Sequence, residues 1–163
     1  MDPSHIQKIS VQTIILVIST SRTEKEDTAG KAIQSLFQES SIPVIRTEII
    51  PDNIEKIQKA LHKALSEANC IILTGGTGIT HDDCTIEAVE PLFDKRLDGF
   101  GELFRMKSFA EVGTRTVLSR AVGGIIDGKA IFCIPGSKNA AELATRDIII
   151  PEIYHILTHA NRW

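Results

Sequence analysis

Short apolar runs alternate with amphipathic helical segments along these 163 residues, and that alternation limits the fold more than any other feature. Runs rich in Val and Ile indicate buried strands, whereas apolar residues spaced three or four apart indicate helices that cover a sheet. The predicted strands are residues 10–18, 43–50, 70–73, 121–126 and 130–134. The predicted helices are residues 27–38, 53–68, 83–90, 101–109 and 137–159.

Strands that alternate with helices in this way form parallel βαβ units with right-handed crossovers. The sequence therefore predicts an α/β fold with a mostly parallel, doubly wound sheet. The turn signal Asp127-Gly128 joins two of the strands, and Pro151 is expected to divide or kink the last helix. Because no linker or internal repeat interrupts the pattern, residues 10–163 are expected to form one domain behind a flexible segment at residues 1–9.

Composition excludes several classes of function. A net charge of -3 without any basic run argues against nucleic acid as the main partner, because binding a phosphate backbone needs clustered Lys and Arg. The longest apolar run, residues 14–18, is far shorter than the roughly 20 residues of a membrane span, and the first residues do not resemble a signal peptide. We therefore expect a cytoplasmic protein with no membrane partner.

The three cysteines match no zinc-binding spacing. Cys70 and Cys133 lie in predicted strands, where a reduced thiol packs as a small apolar side chain. Cys84 lies where a helix is expected to begin, a position that can lower the pKa of a thiol. No His or other base is placed to activate Cys84, so the sequence assigns it no catalytic role.

Loops that follow parallel strands gather at one edge of a doubly wound sheet, and ligands bind at that edge. Four loops are expected to meet there: residues 19–26, 51–52, 74–82 and 135–137. The third begins Thr74-Gly75-Gly76-Thr77-Gly78, a nearly bare backbone whose amides could surround an anion. The alternative interpretation is a tight strand-to-helix turn with glycines at positive φ.

Other nucleotide-binding and hydrolase patterns do not fit the chain. The Rossmann pattern lacks its third glycine, since His81 stands there. A near P-loop at residues 123–129 is followed by Ala130, which has no hydroxyl for a metal, and we interpret that segment as a hairpin turn. The G-x-S-x-G motif of serine hydrolases does not occur.

Two acids lie on the same predicted edge, Asp52 after one strand and Asp83 behind the glycine loop. Each could cap the helix that follows it, a role that contributes about 1 kcal/mol. Alternatively both face a bound phosphate, which they would repel unless a divalent cation stood between them. Mg²⁺ is the natural candidate for that cation.

A second turn of small residues, Pro135-Gly136-Ser137-Lys138, follows the last strand and opens a helix. Its amides, hydroxyl and ammonium group suit another phosphate, while the alternative is an N-cap serine beside a solvated lysine. Two phosphate sites with acids between them would suit transfer between two phosphorylated molecules.

With these residues in this order, the chain resembles the MoaB/MogA family of molybdenum cofactor biosynthesis, which is related to the G domain of gephyrin. The resemblance covers the chain from about residue 10 to its end, and residues 99–121 resemble the MoaB branch. The matching segments are DTAG at 27–30, IPD at 50–52, LTGGTG at 73–78 with Asp83 beyond it, GFGE at 99–102, LSRA at 118–121 and IPGS at 134–137.

The resemblance implies a three-layer α/β sandwich that assembles as a homo-oligomer, either a trimer or a hexamer. It also implies adenylylation of molybdopterin by ATP with Mg²⁺ and release of pyrophosphate. An alternative is a non-catalytic protein that binds molybdopterin or organises the pathway, with other cofactor-biosynthesis proteins as partners.

Residue roles follow from the same resemblance. Asp52 and Asp83 would be the catalytic acids, and Asp83 would hold Mg²⁺ alone or together with Asp52 or Asp82. The implied substrate-binding residues are Thr74, Gly75, Gly76, Thr77, Gly78, Pro135, Gly136, Ser137 and Lys138. Structural and functional roles both stay open for three more residues in matching motifs: Glu102, Ser119 and Arg120.

Overall fold

The computed structural model describes residues 9–162, so the flexible segment predicted at the N-terminus falls outside the described residues except for its last position. Within this range the sheet is built from β1 (Thr13–Ile18), β2 (Val44–Ile50), β3 (Cys70–Thr74), β4 (Lys95–Arg96), β5 (Val122–Ile126) and β6 (Lys129–Ile134). Their spatial order is β2-β1-β3-β6-β5-β4.

The sheet is mostly parallel, as predicted. Strand β1 pairs in parallel with β2 and β3, and β3 pairs in parallel with β6. The remaining two strands run antiparallel to their neighbours, β5 to β6 and β4 to β5. The hairpin between β5 and β6 turns at Asp127 and Gly128, with φ of 47° and 72°, which is the backbone that a two-residue hairpin turn requires.

The helices are α1 (Thr28–Glu39), α2 (Ile54–Leu65), α3 (Thr85–Val89), α4 (Asp98–Val112), α5 (Lys138–Ala144) and α6 (Ile150–Ala160), with 3₁₀ turns at Glu90–Leu92 and Gly113–Leu118. Helix α4 extends several residues beyond the segment predicted for it. Strand β4 was not predicted, because two exposed residues carry no periodicity. Within residues 9–162 no helix is long and apolar enough to cross a membrane.

Helices cover both faces of the sheet. Alternate side chains of a strand point to opposite faces, and in β1 this separates Ile15 and Val17 from Ile14 and Leu16. The first pair packs in a core with α1, α4, α5 and α6, and the second pair packs with α2 and α3. All four side chains are buried. The predicted three-layer sandwich is therefore confirmed.

Pro151 divides the C-terminal helical region, as predicted. A π-helical turn at Thr145–Ile149 connects α5 to α6, and Pro151 lies in the first turn of α6. Proline has no N–H to donate, and its ring crowds the carbonyl four residues earlier. A wider turn directly before it accommodates both effects.

Candidate functional site

A cleft of about 910 Å³ lies at the carboxyl edge of the sheet and is lined by the four loops that were predicted to meet there. Its walls include most of the residues that the sequence singled out: Asp52, Gly75, Gly76, Thr77, Gly78, Asp82, Asp83, Pro135, Gly136, Ser137 and Lys138. Thr74 is buried beneath the cleft and does not line it. The topology therefore brings both acids and both turns to one place.

The glycine loop has a backbone that only glycine adopts without strain. Gly75 and Gly76 have φ of 99° and 63°. A Cβ on Gly75 would lie 2.4 Å from the carbonyl oxygen of Ile18. A Cβ on Gly76 would lie 2.8 Å from Oδ1 of Asp52. The missing side chains thus allow the loop to pass directly against β1 and against one of the acids.

Most amides of this loop remain available to a ligand. The N–H of Gly75 donates to the carbonyl of Ile134 at 3.0 Å. Among residues 9–162, no protein acceptor receives a hydrogen bond from the N–H groups of Gly76, Thr77 or Gly78. Unpaired backbone amides in a concave loop are the donors that bind phosphate oxygens in other proteins.

Arg120 holds the same loop from behind, a contact that sequence reasoning did not find. Its Nε donates to the carbonyl of Thr77 at 3.0 Å, and its Nη2 donates to the carbonyl of Gly78 at 2.6 Å. The N–H and C=O of a trans peptide point in opposite directions. The two amides that follow these carbonyls, those of Gly78 and Ile79, are therefore turned away from Arg120.

Glu87 on α3 keeps Arg120 in this position. Nη1 of Arg120 lies 2.5 Å from Oε1 of Glu87. This hydrogen bond is the main cause that lowers the pKa of Glu87 below its usual value. The lowered pKa reflects a favourable contact between the two charges, and the pair behaves as one clamp on the loop.

Asp52 does not cap the helix that follows it. The N-cap of α2 is Asn53, whose side chain accepts from the N–H of Lys56 at 2.9 Å. The carboxylate of Asp52 instead accepts two hydrogen bonds on Oδ2, from the N–H of Thr20 at 3.1 Å and from its Oγ1 at 2.9 Å. Asp52 is thus held by the loop after β1, beside the glycine loop.

Asp83 is held by the same kind of contact. Its Oδ2 accepts from the N–H of Thr80 at 3.0 Å and from Oγ1 of Thr80 at 2.8 Å. The N-cap position of α3 is Cys84, and no side chain caps that helix. The capping interpretation is therefore wrong for both acids, and each carboxylate is placed by a threonine.

The pKa values of all three thiols are raised, which disfavours the reactive thiolate form. Burial raises the pKa of Cys84, and the nearby negative charge of Asp52 raises it further. The position at a helix start therefore does not lower this pKa, because burial first, and the acids of the cleft second, outweigh the weak field of a five-residue helix. Burial also raises the pKa of Cys70 to about 12 and raises that of Cys133.

The second turn is occupied by contacts within the protein. Oγ1 of Thr74 donates to the carbonyl of Pro135 at 3.0 Å, which ties the two turns together. Oγ of Ser137 accepts from the N–H of Ala140 at 3.3 Å and so caps α5. The side chains of Thr74 and Ser137 therefore both have a structural role. For Ser137 this is the N-cap role that the sequence analysis gave as the alternative to a phosphate site.

Two cations lie at this turn. Nη1 of Arg22 donates to the carbonyl of Gly136 at 3.0 Å. Nζ of Lys138 lies 3.8 Å from a carboxylate oxygen of Glu142, one turn along the helix, although Lys138 also lines the cleft. Of the three residues left open, Ser119 lines the cleft and Glu102 does not.

The fold and the cleft define the class of this protein: a three-layer α/β protein whose main cleft lies beyond the carboxyl ends of its parallel strands. Residues 14–155 match the family model described as "Probable molybdopterin binding domain". The chain is also 43% identical to molybdenum cofactor biosynthesis protein B of Bacillus cereus, over 93% of this chain and 92% of that relative.

Solved structures agree with these sequence relatives. A crystal structure of molybdenum cofactor biosynthesis protein B is 41% identical, has a TM-score of 0.91, and is matched over 96% of this chain and 99% of that one. The tungsten cofactor synthesizing protein MoaB from Pyrococcus furiosus is 39% identical with a TM-score of 0.86, over 94% and 98% of the two chains. The chain belongs to the MoaB/MogA family of molybdenum cofactor biosynthesis proteins, which confirms the resemblance found in its sequence.

Proposed function

We propose that this protein adenylylates molybdopterin: it transfers the adenylyl group of ATP to the terminal phosphate of molybdopterin and releases pyrophosphate. The observation that carries the proposal is the convergence of Asp52, Asp83 and the amide-bearing glycine loop in one cleft. A cleft of about 910 Å³ lies within the range of small-molecule sites, which favours a reaction between bound small molecules.

The residues of the chain would act by alignment and charge compensation. In this reaction the terminal phosphate oxygen attacks the α-phosphorus of ATP, the new P–O bond forms, and the bond to pyrophosphate breaks. No covalent bond to the protein is needed. The free amides of Gly76, Thr77 and Gly78 are suited to hold phosphate oxygens. The part of the same cleft beside the Pro135–Ser137 turn offers room for the second ligand.

Mg²⁺ is the metal that fits this donor set. Within residues 9–162 no three His, Cys, Asp or Glu side chains are grouped to hold a metal by themselves. Mg²⁺ usually binds through one or two carboxylates and completes its shell with water and substrate phosphates. Asp83 and Asp52 would supply the carboxylates, with Asp82 as the alternative partner of Asp83. When bound, the ion neutralises charge on the phosphates.

The assay that tests the proposal measures adenylyl-molybdopterin and pyrophosphate formed by purified protein. We expect Asp83→Asn to lower turnover at least 100-fold, because it removes the carboxylate charge that would hold Mg²⁺ against the phosphates, while the unfolding midpoint stays within a few degrees of wild type. Asp127→Asn makes the same chemical change in the hairpin turn at the other end of β6 and should leave turnover unchanged.

The same assay distinguishes the non-catalytic alternative. A wild-type protein that binds molybdopterin but forms no pyrophosphate would be a carrier or an organising protein of the pathway. Near-normal turnover in Asp83→Asn would remove Asp83 from the mechanism.

We also propose that the chain forms a homo-oligomer through an apolar face beside the cleft. Large apolar side chains are exposed along the end of α4 and the 3₁₀ turn after it: Met106, Phe109, Val112, Val117 and Leu118. Exposed apolar side chains that form one patch mark interaction sites. Sedimentation should give a multiple of the 17.9 kDa chain mass, and Val117→Asp should lower that mass. A monomeric wild type would contradict the proposal, and the measured multiple decides between trimer and hexamer.

A further inference from the structure

Both acids of the cleft are held by one repeated contact. In each case a single threonine donates its backbone N–H and its hydroxyl to the same carboxylate oxygen, Oδ2. Thr20 makes this contact to Asp52, and Thr80 makes it to Asp83. The two threonines lie in different loops, so the arrangement occurs twice in local structures that share no sequence.

The contact decides which oxygen of each acid is free. Among residues 9–162 the hydrogen bonds to these carboxylates all go to Oδ2. Oδ1 of Asp52 lies against Gly76, where a Cβ would be 2.8 Å away. The carboxylate of Asp83 lies against Gly78, where a Cβ would be 2.7 Å from its Oδ2. Each acid therefore has one oxygen fixed by a threonine, while Oδ1 receives no hydrogen bond from residues 9–162. In Asp52 the free oxygen lies against the glycine loop, whereas in Asp83 the fixed oxygen does.

We propose that Thr20 and Thr80 are positioning residues: each forms a lock on its acid, Asp52 or Asp83, by fixing Oδ2, and thereby leaves Oδ1 free for a divalent cation and its phosphate ligand. The proposal rests on the proposed function for the identity of that ligand. It adds two residues that no motif of the chain had indicated. Fixing a carboxylate in advance favours binding, because less side-chain freedom is lost when the ligand arrives.

The two locks differ in what they connect. Thr80 lies three residues before Asp83, so this lock is internal to one loop. Thr20 lies 32 residues from Asp52, and its Oγ1 also accepts from the N–H of Asp52 at 3.1 Å. The lock on Asp52 therefore joins the loop after β1 to the loop after β2. Loss of the Thr20 hydroxyl should affect the cleft more than loss of the Thr80 hydroxyl.

The test compares valine and serine at each position. Thr20→Val and Thr80→Val keep the shape and the N–H donor but remove the hydroxyl, whereas Thr20→Ser and Thr80→Ser keep it. The probe is Mn²⁺ in excess over ATP, with free Mn²⁺ measured by electron paramagnetic resonance and corrected by a protein-free control for the ion that ATP binds. We expect Thr80→Val to weaken Mn²⁺ binding about 10-fold, the size of one lost charge-assisted hydrogen bond, and Thr20→Val to weaken it more. Each serine variant should stay within about 3-fold of wild type.

A second measurement separates positioning from general stability. In the adenylylation assay the valine variants should lower kcat with little change in the KM for molybdopterin, while the thermal midpoint stays near wild type because both threonines are exposed. Thr80→Ala provides a second hydroxyl-free variant if Thr80→Val folds poorly.

Each outcome has a distinct meaning. Valine variants that bind Mn²⁺ and ATP like wild type would overturn the lock, as would serine variants that are as weak as valine. The lock is also overturned if the wild-type protein binds no Mn²⁺ in the presence of ATP. If the valine and serine variants differ as expected but wild type forms no pyrophosphate, the lock stands and the proposed adenylylation fails.

Discussion

The two turns that follow β3 and β6 make an informative comparison, because they occupy equivalent places beside each other in the sheet. Both are short, rich in small residues and lead toward a helix. In the glycine loop the amides of Gly76, Thr77 and Gly78 are unpaired within the described chain, and two acids lie beside them. In the other turn Ser137 caps α5, and Lys138 lies near Glu142.

The difference teaches that composition alone does not make a phosphate site. A hydroxyl or an ammonium group that already serves the protein has less to offer a ligand, whereas an unpaired amide gains a partner on binding. The glycine loop is fixed from behind, by Arg120 on its carbonyls, so its amides stay free. The second turn is also held through its carbonyls, by Thr74 and Arg22, but its hydroxyl and its ammonium group already have partners within the protein. We therefore expect the glycine loop to dominate binding and catalysis.

The largest contrast is expected between Gly76→Ala and Gly136→Ala. A Cβ on Gly76 would lie 2.5 Å from Oγ1 of Thr85 and 2.8 Å from Oδ1 of Asp52, at a φ of 63°. We expect Gly76→Ala to lower the free energy of unfolding by about 1–3 kcal/mol and turnover more than 100-fold. At Gly136 the φ is not positive, and the nearest atom to a Cβ is Cα of Gly75 at 3.1 Å.

Gly136→Ala serves as the matched variant for this test, since it adds the same methyl group to the other turn. We expect it to cost less than about 1 kcal/mol of stability and no more than about 10-fold in turnover, because the neighbour needs to move only a few tenths of an ångström. Denaturant unfolding and the adenylylation assay provide the two measurements. Equal losses in both variants would remove the distinction between the turns.

The sequence predicted most of the fold because hydrophobic periodicity carries it. Strands β1, β2, β3, β5 and β6 contain apolar runs, and each was found within a few residues of its bounds. Strand β4 has two exposed residues and owes its place to pairing with β5, a partner that only the folded chain supplies. The extent of α4 and the 3₁₀ turn after it likewise depends on packing and not on pattern.

At the site, residue types at strand ends predicted the loops and the acids but not the contacts between them. Asp52 and Asp83 were found because parallel topology brings strand ends together. Thr20 was not found, because it contacts an acid 32 residues away, and no short motif joins two residues at that distance in the sequence. The role of Arg120 was left open for a similar reason: its partners are backbone carbonyls, which every residue has, so no sequence pattern reveals the contact.

A smaller contrast is expected between the two arginines that hold the turns. Arg120 makes two hydrogen bonds to carbonyls of the glycine loop and is itself held by Glu87. Arg22 makes one, to the carbonyl of Gly136, from an exposed loop. Arg120→Met frees the two peptide units that contain the amides of Gly78 and Ile79, so these amides lose their fixed direction. We therefore expect the KM for the phosphate ligand of the glycine loop to rise about 10-fold. Arg22→Met should raise KM only about 2- to 3-fold.

Glu87→Gln tests the contribution of Arg120 without changing any residue of the glycine loop or Arg120 itself. The Glu87 carboxylate is ionised at neutral pH, and its pKa is lowered further by the hydrogen bond from Arg120. The amide variant removes the negative charge that holds Arg120 and keeps the shape of the side chain. We expect an effect on KM between those of Arg22→Met and Arg120→Met, measured under the same steady-state conditions. If Arg120→Met raises KM no more than Arg22→Met does, the glycine loop holds its own backbone, and the clamp behind it does not set the direction of its amides.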